Sequence, residues 1–150
     1  MTDRTRFRHV IQLRVRNYEI DWQGIVHNAV YLHYFETGRV AYLENLGLEL
    51  NIVTIRNESH VVVARNEIDY DSPARFGELL NVFTRISGIG TTSFTFEGII
   101  DAVSTGRLIA RNVAVHVWLE KEGGKPIRVP DEFRAMVARF DSPGNAGVPA

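Results

Sequence analysis

The chain has no cysteine. That removes disulfides, thiolate nucleophiles and cysteine-held zinc, and it suits a reducing compartment. Charge of one sign is missing too. Seventeen Lys and Arg stand against eighteen Asp and Glu, for a formal net charge of −1, so the bulk attraction to phosphate behind non-specific nucleic-acid binding is absent. No stretch approaches the roughly 18 consecutive apolar residues of a membrane span, and the opening MTDRTRFRHV lacks the apolar core of a signal peptide. The expectation is a cytoplasmic protein with no membrane span and no nucleic-acid partner. G-x-S-x-G, H-E-x-x-H and P-loop motifs are all missing, which sets aside the chemistries they carry. GIGTTS at 88–93 begins like a dinucleotide fingerprint but lacks the third glycine, and it reads as a hairpin turn.

What is present is a chain of 150 residues, long enough for one domain with a core of its own. A single domain is expected over residues 1–140. The Pro/Gly/Ala-rich stretch 141–150 is expected to be a flexible tail. FRHVIQLRVR at 7–16 alternates as a strand, with Phe7, His9, Ile11, Leu13 and Val15 on one face. From Ala29 to about Leu46 the composition is helical, and Gly47 suits the left-handed residue that closes a helix. Apolar residues cover most of this helix, leaving a narrow stripe of His33, Glu36, Thr37 and Glu44, as when a curved sheet wraps around it. Gly38 in mid-helix costs about 1 kcal/mol relative to Ala, which close packing against the sheet would offset. Glu36 and Arg39 are spaced to pair on the exposed side.

Strands are expected over 60–73, 79–90, 92–101 and 107–121, with a short helix over 130–140 opened by Pro130 and Asp131. His60 and His116, set among apolar strand residues, read as structural. The fold class is α+β: an antiparallel sheet whose last four strands form a meander, with the long helix in its concavity. Long strands with exposed edges suggest that the sheet continues across a partner subunit.

Asp21 stands out for chemistry. An Asp ahead of a helix is most often a cap, but here the helix begins seven residues later, near Asn28. Gly24 allows a tight bend that would fold Asp21 back beside the helix mouth. The unpaired N–H groups there, with roughly half a positive charge, would polarise a thioester or ester carbonyl. A carboxylate on its other side could attack it or activate water. On the residues alone, a helix cap and a reacting carboxylate both stay open. His27, His33 and Glu36 do not complete a metal shell, so no metal site is expected.

Tyr18, Asp21, Gly24, Val26, Asn28, Tyr31 and Arg39, spaced Y-x-x-D-x-x-G-x-V-x-N-x-x-Y-x-x-x-x-x-x-x-R, resemble the signature of the hot-dog-fold acyl-CoA thioesterases of the 4-hydroxybenzoyl-CoA thioesterase-like group. A second segment, Tyr70, Ser72, Pro73, Ala74 and Gly77, extends the likeness, which covers about 7–138. The resemblance implies a five-stranded antiparallel sheet around one long helix. It also implies a homodimer with one continuous sheet, often paired into a homotetramer, with active sites at the subunit interface. Asp21 matches the family's catalytic carboxylate, the Asn28 backbone N–H the group holding the thioester oxygen, and Gly24 the residue admitting the acyl group. Tyr18, His27 and Tyr31 are expected on the substrate side.

This chain departs from the family pattern at Ile25, where many relatives carry His, and at Asn28, where one branch carries a catalytic His; His27 falls one residue short. Coenzyme A would be part of the substrate, with no separate cofactor. Arg65, Arg75 and Arg128 are candidates for its phosphates by charge. The expected activity is hydrolysis of an acyl-CoA thioester, and Tyr31, Tyr34 and Phe35 hint at a medium-length fatty or aromatic acyl group. The rivals are a carrier-protein thioesterase, an acyl-CoA-binding protein without turnover, and a dehydratase, whose usual histidine is not evident.

Overall fold

The computed structural model describes residues 3–49, 60–122 and 124–141. Strand β1 (His9–Arg14) leads through a 3₁₀ turn (Asn17–Glu19) and a tight loop into helix α1 (Val30–Asn45). Strands β2 (His60–Tyr70), β3 (Leu79–Ile89), β4 (Ser93–Ala102) and β5 (Leu108–Leu119) follow, and helix α2 (Asp131–Asp141) comes last. The strands form one antiparallel sheet in the order β1-β3-β4-β5-β2. The hairpin at GIGTTS is closed by the Gly90 N–H on the Ser93 carbonyl at 2.7 Å. Gly47, at φ +101°, ends α1 in the left-handed region, as its lack of a Cβ permits.

The strand order corrects one expectation. Only β3, β4 and β5 form a meander; β2 pairs with β5 at the far edge, from His60 opposite Leu119 to Tyr70 opposite Ala110. The chain must therefore cross from that edge to β3, and it does so through residues 71–78. Ser72 binds the Leu108 and Ile109 carbonyls, while Gly77 and Glu78 exchange backbone bonds with Val15 on the opposite side. Arg107 holds the crossover by donating to Ser72 Oγ, the Pro73 carbonyl and Glu78.

Tyr31, Tyr34, Phe35, Gly38, Arg39 and Tyr42 are the buried residues of α1. A methyl at Gly38 would come within 2.6 Å of Thr84 Oγ1 and 2.8 Å of Val82 Cγ1, so the helix backbone rests on β3. Gly98 on β4 makes the same room for the Phe35 ring, which a Cβ would meet at 2.6 Å. Arg39 is a second correction. It does not pair with Glu36 in solvent but lies on the sheet side, 7% exposed, donating to Asn112 Oδ1 at 3.3 Å. Its position four residues after Phe35 puts it on the same face, and burial lowers its pKa while Glu36 acts the other way. Leu32 and Val40 stay exposed on the other side.

The core has two parts. One joins Tyr31, Tyr34 and Phe35 to Val15, Val26, Ala74 and the near ends of the strands. The other joins Tyr42 to Phe94, Phe96, Val129, Phe133 and Val137, with α2 as its cover. Tyr42 donates to Asp141, which is fully buried, so α2 extends one residue into the stretch expected as a tail. Residues 142–150 lie outside the described residues, as does the side chain of His60. No described helix is long and apolar enough to cross a membrane.

His116 stacks on Phe94, with centroids 5.5 Å apart and planes at 22°, and meets Phe96 edge-on. Burial, followed by the nearby Arg39 charge, lowers its pKa to about 4. The unfolded chain, with an ordinary histidine near 6.5, binds the proton first as pH falls. This contribution to stability is complete above pH 6.5 and is lost as pH drops toward 4. It amounts to roughly 3 kcal/mol over that window. Thermal denaturation followed across that range should show the loss, and His116→Phe, which keeps a ring between Phe94 and Phe96, should flatten the profile.

Candidate active site

Backbone bonds build the site around Asp21. The Asp21 N–H donates to the Ile25 carbonyl at 2.8 Å, and Gly24, at φ +80°, turns the chain back with its N–H on the Asp21 carbonyl. Ile20 then lies opposite Val26, and the His27 N–H donates to the Glu19 carbonyl at 3.0 Å. The loop is thus a small hairpin, and it returns the chain to the start of α1 beside the segment that leads into Asp21. The bend expected at Gly24 is present, with Asp21 opposite Ile25 and Glu19 opposite His27 nearer the helix.

The crossover seals this hairpin from below. Ile25 bridges to Arg75, the Val26 N–H donates to the Ala74 carbonyl at 2.9 Å, and the Ala74 N–H donates to the Tyr31 hydroxyl at 3.2 Å. One segment therefore touches both the Asp21 hairpin and the first turn of α1.

Asp21 is half-buried. Its Oδ1 accepts the Gln23 N–H at 2.7 Å, a local turn of the kind Asp commonly makes, while Oδ2 has no hydrogen bond among the described residues. One oxygen fixes the carboxylate and the other stays open for chemistry. Trp22, at the tip of the hairpin, is 91% exposed. Nothing in the sequence pattern marks this exposed loop indole, next in the chain to Asp21, as functional.

At the helix mouth, His27 performs a local task. Its Nδ1 accepts the Ala29 N–H at 3.0 Å and its carbonyl accepts the Val30 N–H at 2.9 Å, the work of a cap where Ala29 offers no side chain for it. Asn28 is exposed, and its carbonyl accepts the Tyr70 hydroxyl at 3.0 Å. Its own N–H has no partner among the described residues, although both flanking peptides are fixed. A fixed donor without an acceptor at a helix N-terminus suits an oxygen carrying negative charge.

Tyr31, 3% exposed, packs edge-on against Tyr34 and Tyr70, and burial raises the pKa of its hydroxyl. Tyr34 is raised more strongly, by burial and then by the Glu19 carboxylate. With Phe35, these rings pack inside the core. They are buried within this chain, 2–4% exposed. Tyr18 points outward, 72% exposed, with its hydroxyl accepting from Arg16 at 2.7 Å. Asp21, Gly24, His27, Asn28 and Tyr31 thus gather around one hairpin and helix mouth, and Tyr18 lies on the outer side of the preceding turn.

Of the three arginines singled out by charge, Arg65 pairs with Glu67 and Arg128 with Asp131. Arg75 makes no ion pair among the described residues and sits on the bridge to Ile25. No group of three or more His, Cys, Asp or Glu side chains gathers among the described residues as a metal site would require.

The sequence matches the thioesterase-like superfamily over residues 15–137. It is 34% identical to a chloroplastic acyl-acyl carrier protein thioesterase of Arabidopsis thaliana, over 88% of this chain and 69% of that one. It is 30% identical to the acyl-CoA thioesterase YbgC of Haemophilus influenzae, over 82% of this chain and 89% of that one. Among solved structures, a thioesterase of Thermus thermophilus complexed with coenzyme A and Zn superposes with a TM-score of 0.78. The two are 31% identical, over 91% of this chain and 96% of that one.

The Tyr31 hydroxyl is the acceptor for a buried crossover amide. Tyr31→Phe should leave that N–H without a partner and lower stability by about 1–3 kcal/mol in chemical denaturation; an unchanged midpoint would show that the Ala74 bond holds nothing.

Proposed function

We infer thioester hydrolysis from the premise that this chain belongs to the thioesterase-like superfamily: it cleaves acyl-CoA thioesters to free coenzyme A and a carboxylic acid. What supports a site at Asp21 is one hairpin bringing together a carboxylate with an open oxygen and a helix-mouth amide with no partner. The thioester oxygen accepts from the Asn28 N–H, which withdraws electrons from the carbonyl carbon. Asp21 Oδ2 either takes a proton from water as the water oxygen adds to that carbon, or adds to it directly and is released by water afterwards. As the carbonyl re-forms, the C–S bond breaks and the sulfur leaves with its electron pair, to be protonated as coenzyme A thiol. Gly24 keeps the approach open, since it carries no side chain and a Cβ built there would meet nothing within 4 Å. Arg75, beside the hairpin and with no ion pair among the described residues, would meet a phosphate of coenzyme A.

The carrier-protein donor remains the second reading, because the Arabidopsis relative is named for it. Thiol release from parallel acyl-CoA and acyl-carrier-protein panels decides between them. Asp21→Asn keeps the shape and the Gln23 contact but removes the base, so kcat should fall at least about 10²-fold with the melting temperature unchanged. Turnover equal to wild type would remove Asp21 from the mechanism.

The working unit in this reading is a homodimer, with a dimer of dimers as the larger form. Strand β2 supports it. It is eleven residues long, paired only with β5, and carries a run of exposed valines at 61–63. An edge strand of that length, apolar at its start, invites pairing with another chain, and a second copy related by a two-fold axis would continue the sheet. Size-exclusion chromatography with light scattering should give twice or four times the 17.0 kDa chain mass; a monomer would sink the interface.

A further inference from the structure

We propose that Tyr70 is a positioning residue for this reaction, acting through the Asn28–Ala29 peptide; the proposal rests on the thioesterase reading of the helix mouth. Tyr70 is the last residue of β2 and pairs with Ala110, a core residue on the helix side of the sheet. Its ring therefore stands on the concave face and packs edge-on against Tyr31, with centroids 5.5 Å apart. From there its hydroxyl reaches the Asn28 carbonyl at 3.0 Å.

The geometry gives this bond a purpose. The Asn28–Ala29 peptide is held at both ends, by Tyr70 on its carbonyl and by His27 Nδ1 on its N–H. The preceding peptide is held by the Val30 N–H on the His27 carbonyl. Asn28 lies between two fixed planes, and its own N–H direction is set by them. A helix start is where backbone groups lack intrahelical partners and fray first. Without the Tyr70 bond, the Asn28–Ala29 plane would keep only its His27 contact, and the adjoining His27–Asn28 plane, which carries the unpaired N–H, would be less firmly aimed. An amide donor stabilises developing charge through preorganisation, so loss of aim costs rate more than binding. Tyr70 is half exposed and touches no reacting atom in this arrangement.

The test is Tyr70→Phe, which keeps the ring against Tyr31 and deletes only the hydroxyl. With octanoyl-CoA, decanoyl-CoA and benzoyl-CoA as probes, kcat should fall about tenfold with KM within twofold of wild type, and the melting temperature should hold. In ¹H–¹⁵N spectra of the same variant, the Asn28 and Ala29 amide peaks should move and their hydrogen exchange should quicken. Unmoved amide peaks, or an unchanged kcat in an active enzyme, overturn the proposal. A wild type that releases no thiol from any thioester overturns the catalytic reading. Moved amide peaks would in that case still support the anchoring of the helix mouth.

Discussion

The fold depends on how closely α1 lies against the sheet. At Gly38 there is no room for a methyl group between helix and β3, and at Gly98 none between β4 and the Phe35 ring. These two absences of side chain fix the depth of the helix in the concavity from opposite directions. A methyl at either place would force the neighbours apart, at a cost of about 1–3 kcal/mol of strain. Depth in turn sets where the first turn of α1 emerges, and every bond at the helix mouth is measured from there.

The crossover between β2 and β3 converts that depth into a site. Because β2 lies beyond β5, residues 71–78 must cross the end of the sheet where α1 begins. On the way they bond successively to β5, to Tyr31, to the Asp21 hairpin and to the end of β1. A simple meander would have turned directly into β3 and left Val26 and Tyr31 without these partners. The far end of the molecule is built differently. There α2 covers a cluster of aromatic rings, with Tyr42 bound to a buried Asp141. One end is sealed by side chains and the other is held by backbone, and the proposed chemistry belongs to the second.

Most of the elements were legible because their signals are local. The alternation in 7–16, the composition of 29–46 and the glycine at 47 each depend on neighbours in sequence, and β1 and α1 fall within a residue or two of expectation. Strand order was not legible, since it depends on which distant edge β2 finds, and no short pattern records that. Arg39 misled for a related reason. Its spacing from Glu36 suits an exposed pair, yet the same position continues the Tyr31–Phe35 face into the core. The Asp21 hairpin was readable through Gly24, whereas His27 as a cap, Tyr70 on Asn28 and the exposed Trp22 all required coordinates. Tyr70 belonged to a quoted motif, but its partner lies 42 positions away.

The site's construction bears on why one scaffold serves different donors. In the proposed mechanism, apart from Asp21, the groups that would polarise and orient the thioester are amides, carbonyls and the two side chains that hold them, and none of these would read the acyl chain or the group beyond the sulfur. Selectivity must then come from surfaces around the hairpin: the exposed Trp22 at its tip, Arg75 on its bridge and the open β2 edge. Those positions carry few backbone obligations, so they can change without disturbing the helix mouth. Relatives named for coenzyme A and for carrier-protein donors, both about one-third identical to this chain, are what such a division of labour allows. On the proposed mechanism, the reaction would be set by a hairpin that must be kept, and the substrate by side chains that can be exchanged.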